Sequence, residues 1–196
     1  MGAIVRRLTA LMIGLASATA ACAGGGPAPE PSHTPCATGW DALPKTHTVA
    51  LYTTATVAGL RAGADACFDR LIVDLGPRRA DVPGPQGEGF QVRYVPEARS
   101  SGSGELLPID GGAILTVVVN AAAHDGDYKP TFVPPDRDHV VDLTGFRTFR
   151  QVAFLGTFEA QTELVIGVRE ELPFHAFVAS GPGTGAQLVI DVAHAR

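Results

Sequence analysis

The chain has 196 residues, of which 45% are hydrophobic and 18% charged, with 23 glycines and 15 prolines. This length fits one domain, and so much glycine and proline argues against a protein built of long helices. A formal net charge of −5 argues against the basic surface that nucleic-acid binding requires.

The N-terminal segment has the pattern of a signal peptide. Two arginines (6–7) precede an apolar run, residues 8–18, which is too short to span a bilayer. The sequence TAAC (19–22) then matches the small-residue lipobox before the cysteine that receives lipid in bacterial lipoproteins. We therefore predict a lipoprotein signal peptide over residues 1–21 and lipidation of Cys22. Ordinary cleavage at an overlapping Ala-x-Ala site is the alternative.

Lipidation would place the protein on the outer face of the cytoplasmic membrane, in the cell envelope. Two acyl chains anchor a protein stably, because each buried methylene contributes about 0.8 kcal/mol. Removal of residues 1–21 takes two arginines away and leaves 13 basic against 20 acidic residues. For so acidic a chain we expect contact with the membrane through the lipid anchor only, and no nucleic-acid partner.

The next segment is rich in glycine and proline, and residues 22–38 are predicted to form a flexible tether. Cys36 and Cys67 would meet an oxidising compartment, which favours a disulfide between them; two unpaired thiols are the alternative. Trp40 is the only tryptophan. We expect it to anchor the N-terminal arm, the segment that carries Cys36 and Trp40, against the body of the domain; the alternative is an exposed linker residue.

Residues 39–196 consist of short β-like runs separated by Gly, Pro, Asp and Ser. The run FDRLIVDL (68–75) alternates between two faces, and AILTVVVN (113–120) is apolar on both faces, as in a central strand. Further strands are predicted at 49–57, 90–95, 140–143, 151–157, 163–168, 175–179 and 188–192. Because no segment has a helical period, we predict an all-β fold: a β-sandwich of about eight to ten short, mostly antiparallel strands.

The sequence has no recognisable catalytic motif. It lacks the Gly-x-Ser-x-Gly elbow and Ser-x-x-Lys, and its six histidines are scattered. Two polar clusters, HDGD (124–127) and DRDH (136–139), could offer oxygens to Ca²⁺, but solvated turns are the favoured interpretation. Glu170 and Glu171 are adjacent, so their side chains point apart and make a poor acid/base pair. We predict no enzyme activity, no metal site and no cofactor.

A binding surface would have to come from aromatic and basic side chains on the strands. The candidates for contacts to a glycan or a peptide are Arg93, Tyr94, Phe174 and His175. The alternative is that Tyr94 and Phe174 belong to the core. The neighbouring charges at 69–70 (Asp-Arg) are interpreted as an exposed pair.

Several stretches together resemble one known family. VAGLRAGADACFDRLIVDL (57–75) resembles the opening of the AMIN-like domain of actinobacterial lipoproteins. The later stretches that agree with that family's order are GFQVRYV (89–95), DGG (110–112), GVREELPFHAF (167–177) and QLVIDV (187–192). The resemblance covers about residues 46–193. It implies a β-sandwich related to AMIN domains, which are non-catalytic modules that localise amidases or secretins by binding the cell wall.

The leading hypothesis is a non-catalytic, membrane-tethered envelope lipoprotein that binds peptidoglycan or an envelope protein partner through residues 39–196. A carrier of a small apolar ligand or lipid is the alternative from another class, because sandwiches and barrels can enclose a cavity. Binding to peptidoglycan would favour the first hypothesis, and an enclosed apolar cavity would favour the second.

Overall fold

The computed structural model describes residues 36, 39–50, 53–81, 87–100 and 102–196. The chain divides into two units, Met1–Thr34 and Pro35–Arg196, and the first lies wholly outside the described residues. The predicted signal peptide, the lipidation of Cys22 and most of the predicted tether therefore also lie outside them.

The described residues contain eleven strands and no helix. The strands are β1 (Lys45–His47), β2 (Val57–Ala64), β3 (Phe68–Leu75), β4 (Phe90–Val95), β5 (Ala98–Arg99), β6 (Leu106–Leu107), β7 (Ala113–Val119), β8 (Phe149–Phe158), β9 (Gln161–Val168), β10 (Phe174–Ser180) and β11 (Ala186–Ala193). All pairings are antiparallel, which confirms the predicted all-β sandwich.

Two sheets form the sandwich. One has five strands in the order β1-β4-β7-β9-β8, and the other has four in the order β10-β11-β3-β2. The short β5–β6 hairpin stands apart as a two-stranded ribbon. AILTVVV proves to be the middle strand of the larger sheet, as its two apolar faces predict.

The core forms where the inner faces of the sheets meet. In β3, Leu71, Val73 and Leu75 are buried, while the residues between them are half-buried, as the alternation predicts. Phe149 of β8 and Phe174 of β10 are the largest fully buried side chains. Each fully buried large apolar side chain contributes about 1.5–3 kcal/mol, so this interior supplies most of the stability.

The outer face of the larger sheet is also partly covered. Val165 and Ala153 lie on that face of β9 and β8, yet they are 0% and 3% exposed. The segment that follows β6 lies against them: a Cβ added at Gly167 would come 1.9 Å from the carbonyl oxygen of Asp110. The glycine is therefore required by the close passage of another backbone.

Two predicted strands are wrong, for different reasons. Residues 49–57 do not form a strand where they are described; the Thr53 hydroxyl accepts the N–H of Ala55, and the strand begins only at Val57. In 140–143, Val140 donates one bond to the Val152 carbonyl, but Asp142 then accepts the N–H of Thr144 and turns the chain. Both runs are apolar because they cover the core, and burial alone does not make a strand.

Candidate functional site

A groove of about 530 Å³ opens beside the β8–β9 hairpin. Residues 154–158 of β8 line one side, and the loop from Ala123 to Arg137 lines the other. Val118 and Glu163 lie on the neighbouring strands of the same sheet. This volume falls within the range of about 300–1,000 Å³ that is usual for ligand pockets. We refer to this depression as the groove.

Exposed apolar side chains are concentrated at the groove. Among the described residues five large hydrophobic side chains are prominently exposed, and three of them line it: Tyr128 (81%), Val133 (73%) and Phe158 (52%). Exposed single apolar residues are common, but their clustering in a concave surface is typical of a binding site.

The same place holds unusual backbone conformations. The non-glycine residues of the described chain with positive φ are Tyr128 (60°), Glu159 (49°) and Ala160 (62°). Glu159 and Ala160 form the turn between β8 and β9, where Asn-Gly would be the relaxed choice. Such strain costs of order 1–3 kcal/mol per residue and clusters at functional sites.

The loop that presents Tyr128 is held by local hydrogen bonds. One carboxylate oxygen of Asp125 accepts the N–H groups of Asp127 and Lys129, each at 3.0 Å. The Tyr128 ring stacks on His124 with the ring centroids 5.0 Å apart. An exposed aromatic ring with a fixed orientation is therefore available to a flat apolar ligand surface.

Arg137 lies at one end of the groove. Its guanidinium donates to the carbonyls of Leu155 (2.6 Å) and Phe154 (3.3 Å) and lies over the Phe154 ring. The bulge in β8 makes room for it, because a Cβ added at Gly156 would come 3.0 Å from Nη2 of Arg137. Beyond Arg137 a second depression of about 560 Å³ continues along β8.

The two polar clusters considered for calcium flank these depressions. Their carboxylates are used in turns: Asp125 as described above, and Asp136 by accepting the N–H groups of Asp138 and His139. These hydrogen bonds hold the pKa of Asp136 below its ordinary value. In the described part of the chain no three His, Cys, Asp or Glu side chains are gathered for a metal ion.

A second group of polar residues, around Asp69, is buried, whereas the groove is exposed. Asp69 is 0% exposed, because it falls on the same face of β3 as Leu71. One carboxylate oxygen accepts the N–H groups of Thr148 and Phe149, and the other lies 2.8 Å from Nε2 of His194. The interpretation of 69–70 as an exposed pair is therefore wrong. Asp69 joins the smaller sheet to the start of β8.

The partner of Arg70 is a residue far away in sequence. Arg70 donates two hydrogen bonds, at 2.6 and 2.7 Å, to the carboxylate of Asp191 on the adjacent strand β11. Asp191 is 2% exposed, so the carboxylate of this ion pair is buried, whereas the Arg70 side chain is partly exposed. We refer to Asp69, Arg70, Asp191 and His194, together with the neighbouring disulfide, as the Asp69 cluster.

The disulfide joins Cys36 to Cys67, with the two Cα atoms 5.1 Å apart. It brings the arm to the start of β3, where Trp40 packs between Phe68 and His175 at ring-centroid distances of 5.6 and 5.7 Å. Trp40 is half-buried and anchors the arm, as predicted from its position. The next residue continues the contact, because the Phe174 N–H donates to the carbonyl of Asp41.

The four predicted binding residues do not share one surface. Arg93 is exposed on the outer face of β4, and His175 is exposed on β10 beside Trp40. Phe174 is fully buried, and Tyr94 packs edge-on against it at 5.6 Å, so both belong with the core. Neither Arg93 nor His175 lines the groove.

Tyr94 is also held by its hydroxyl group. The hydroxyl donates to the Leu172 carbonyl at 2.8 Å and accepts the Leu172 N–H at 3.0 Å. Burial raises the pKa of Tyr94 to about 12. The phenol therefore acts as a structural link between β4 and the segment before β10.

Sequence reasoning missed Tyr128, Val133 and Phe158 because each stands in a loop or at a hairpin end, outside any periodic pattern. The available signal was indirect. The two polar clusters, 124–127 and 136–139, were noticed for their carboxylates, and they bracket the loop that forms one wall of the groove. Their polar residues build the turns, and the aromatic residues between them provide the surface.

Comparisons with known proteins give one match. Neither the curated proteins nor the solved structures contain a match to this chain. The model of the AMIN-like domain family matches residues 55–194, which include β2 to β11 and the whole lining of the groove. None of the described residues forms a helix long and apolar enough to cross a membrane. The match extends over most of the chain, and the protein is accordingly a member of the AMIN-like domain family.

Proposed function

We propose that this protein is a non-catalytic, membrane-tethered lipoprotein whose AMIN-like domain binds peptidoglycan through the groove. Membership of the family suggests a role in the cell envelope that is related to peptidoglycan, and AMIN-like domains are typically non-catalytic binding domains. The observation that carries the finer proposal is the groove with its exposed rings, Tyr128 and Phe158.

The side chains of the groove suit a sugar chain. A pyranose ring has an apolar face of C–H groups that stacks on an aromatic ring, and polar edges that need hydrogen-bonding groups. Tyr128 and Phe158 offer the rings, while Arg137 offers N–H donors within the same lining. Apolar walls with a few polar groups are typical of sites that fix a ligand's orientation.

An envelope protein partner is the other occupant that the sequence allows, and the shape of the site favours the glycan. The volume of the groove, about 530 Å³, is that of a small-ligand pocket and holds a few sugar rings. A stable protein interface requires a larger contact surface, about 1,600 Å² in total. A carrier function has less support. The space between the sheets is filled by side chains such as Phe149 and Phe174, and the groove is open to solvent.

The absence of enzyme activity is part of the proposal. Catalysis by paired acids requires two carboxyl groups that face each other about 5–9.5 Å apart. In the groove, Glu163 is the one lining carboxylate among the described residues. The buried Asp69 and the half-buried His194 are hydrogen-bonded to backbone groups and to each other, and neither lines the groove. We expect no release of soluble fragments from purified sacculi.

The anchoring half of the proposal has its own test. Growth with an alkyne-tagged fatty acid should label the wild-type protein and leave the Cys22→Ser variant unlabelled and no longer membrane-bound. Mass spectrometry of the mature N-terminus is the check on cleavage. A mature chain that starts at Ala21 and carries no lipid would contradict lipidation and indicate that the protein is secreted.

The binding half is tested by co-sedimentation with purified sacculi. The protein is the mature chain from residue 22 with Cys22→Ser and the Cys36–Cys67 disulfide intact. We expect saturable binding that survives about 0.3 M salt, because ring stacking is little affected by ionic screening. The double variant Tyr128→Ala/Phe158→Ala should lose at least about tenfold in affinity, which corresponds to about 1.4 kcal/mol.

A matched control uses aromatic residues outside the groove. Phe68 and Phe177 lie near Trp40 and away from the groove lining, so Phe177→Ala should bind sacculi like the wild type. Failure of the wild-type protein to sediment with sacculi would contradict peptidoglycan binding. Equal binding by the wild type and the groove variant would place the site elsewhere.

A further inference from the structure

Arg137 is held in the groove by several contacts, and none of the carboxylates of the described residues lies within 4.0 Å of it. Its Nε and one Nη2 hydrogen are used by the carbonyls of Phe154 and Leu155, and the Phe154 ring lies beneath the guanidinium. A guanidinium has five N–H donors, so three are left.

The nearest acidic side chains in sequence do not fill this role. Asp136 accepts backbone N–H groups and pairs with His139 at 3.5 Å. Some arginines of the described chain meet carboxylates directly, as Arg70 meets Asp191. Others do not: Arg150 donates to the backbone carbonyls of Phe149 and Arg147. Arg137 is the arginine of this second kind that lines the groove. The fold therefore holds Arg137 with backbone carbonyls and a glycine bulge and keeps its charge available in the groove.

Resting on the proposed function, we infer that Arg137 binds a free carboxylate carried directly on a sugar of the glycan strand. In peptidoglycan this group is the lactyl carboxylate of alternate sugars, which is free only after the stem peptide has been removed. An arginine fork and a carboxylate form a charge-assisted, bidentate pair. The ligand class is a peptide-free glycan strand, and an amide-hydrolysing reaction must supply it.

The surrounding charges limit the ligand further. The adjoining depression is lined by three carboxylates, from Glu105, Asp110 and Asp138, and the mature chain carries 13 basic against 20 acidic residues. A polymer with many phosphates would be repelled by these groups. Arg137 lines both depressions, and the groove side carries one carboxylate, from Glu163, against three in the adjoining depression. A single carboxylate on the stacked sugar ring therefore approaches Arg137 from the groove side. Carboxylates of a stem peptide are separated from the sugar by at least one amino acid, so they lie farther from the stacked ring than the lactyl carboxylate does.

The test is calorimetric titration of the mature chain carrying Cys22→Ser with four probes of similar length. They are peptide-free glycan oligosaccharides, the same oligosaccharides with lactyl carboxylates amidated by methylamine, oligosaccharides that retain their stem peptides, and chitotetraose. We expect the first to bind about tenfold or more tightly than the other three, because only it pairs with the guanidinium.

The variants separate charge from shape. Arg137→Gln should abolish the preference for the free carboxylate, so that the free and the amidated oligosaccharides bind with equal affinity. Arg137→Lys should keep part of the preference, since lysine offers charge without the fork. Arg93→Gln, an exposed arginine on β4 outside the groove, is the matched control and should bind as the wild type does. Thermal unfolding of each variant establishes that it is folded.

Two results would overturn the inference while leaving peptidoglycan binding intact. Equal affinity for the free and the amidated oligosaccharides would mean that Arg137 does not bind the carboxylate. Tighter binding of the peptide-bearing oligosaccharides would assign the recognition to the stem peptide. Binding to none of the four probes, and none to sacculi, would instead contradict the proposed function itself.

Discussion

The groove and the Asp69 cluster differ both in the residues that form them and in how far those residues are buried. At the Asp69 cluster, Asp69, Arg70, Asp191 and His194 satisfy one another or the backbone, and Asp69 and Asp191 are almost fully buried. At the groove, Tyr128 and its neighbours are exposed and partly strained. We infer that the first region specifies the fold and that the second is kept for a ligand.

This separation has a physical reason. A buried carboxylate is stabilising only if its hydrogen bonds are complete, so the Asp69 cluster cannot also release a group to a ligand. Strained turns and exposed rings cost stability, and proteins keep them where function requires them. Substitutions in the Asp69 cluster should therefore lower the free energy of unfolding and leave binding unchanged. Substitutions in the groove should lower binding and change the free energy of unfolding little.

The largest effect on stability is expected for Asp69→Asn. An amide offers N–H donors where His194 and two backbone N–H groups need acceptors, and removal of one member of a buried pair costs about 3–5 kcal/mol. Urea unfolding measures the change. Asp138→Asn, an exposed aspartate beside the groove, is the control and should change stability by less than about 0.5 kcal/mol. Equal midpoints for the two variants would break the comparison.

Loss of the disulfide should have the next largest effect. Cys36 and Cys67 are 31 residues apart, and closure of such a loop stabilises a fold by about 3–4 kcal/mol in the chain-entropy model. The double variant Cys36→Ser/Cys67→Ser should lower the urea midpoint accordingly. Its binding to sacculi, measured well below that midpoint, should equal that of the wild type. Lost binding by a folded variant would show that the arm takes part in the site.

Tyr94 predicts a smaller, pH-dependent effect. Because its pKa is about 12 in the folded protein and about 10 when unfolded, its contribution is complete below pH 10 and is lost as the pH rises towards 12. The group is half-buried, so we expect a loss of about 1–2 kcal/mol after solvent screening. Unfolding midpoints of the wild type and Tyr94→Phe should converge with rising pH. A constant difference would contradict the assignment.

The smallest difference in stability is expected at the groove, between two variants of Tyr128. Tyr128 has a φ of 60°, which glycine adopts without cost, so Tyr128→Gly should be more stable than Tyr128→Ala by about 0.5–1 kcal/mol. Both variants should lose affinity for sacculi relative to the wild type. If Tyr128→Gly keeps full affinity, the exposed ring has no role in binding.

The sequence predicted the parts of the fold that rest on periodicity. The alternation in FDRLIVDL placed Leu71, Val73 and Leu75 in the core, and the two apolar faces of AILTVVV placed it centrally. The same alternation places Asp69 on the face of Leu71, but a buried carboxylate requires hydrogen-bonding partners, and these could not be identified from the sequence. Those partners, Thr148 and His194, lie 79 and 125 residues away in sequence.

The site was less predictable for a different reason. A groove depends on how loops approach a sheet, and no local pattern encodes that approach. Tyr128 lies in a loop and Phe158 at a hairpin end, and they meet in one lining only through the folded chain. Tyr94 and Phe174 attracted attention because they stand on strands, and that position buries them.

The central claim, that the groove binds the wall glycan, is tested most directly by hydrogen exchange of the mature chain with and without peptide-free glycan strands. We predict slower exchange in residues 123–137 and 154–163 and no change at the Asp69 cluster. Protection confined to the region of Trp40 and His175, or to β4 around Arg93, would contradict the claim and assign the binding surface to that region.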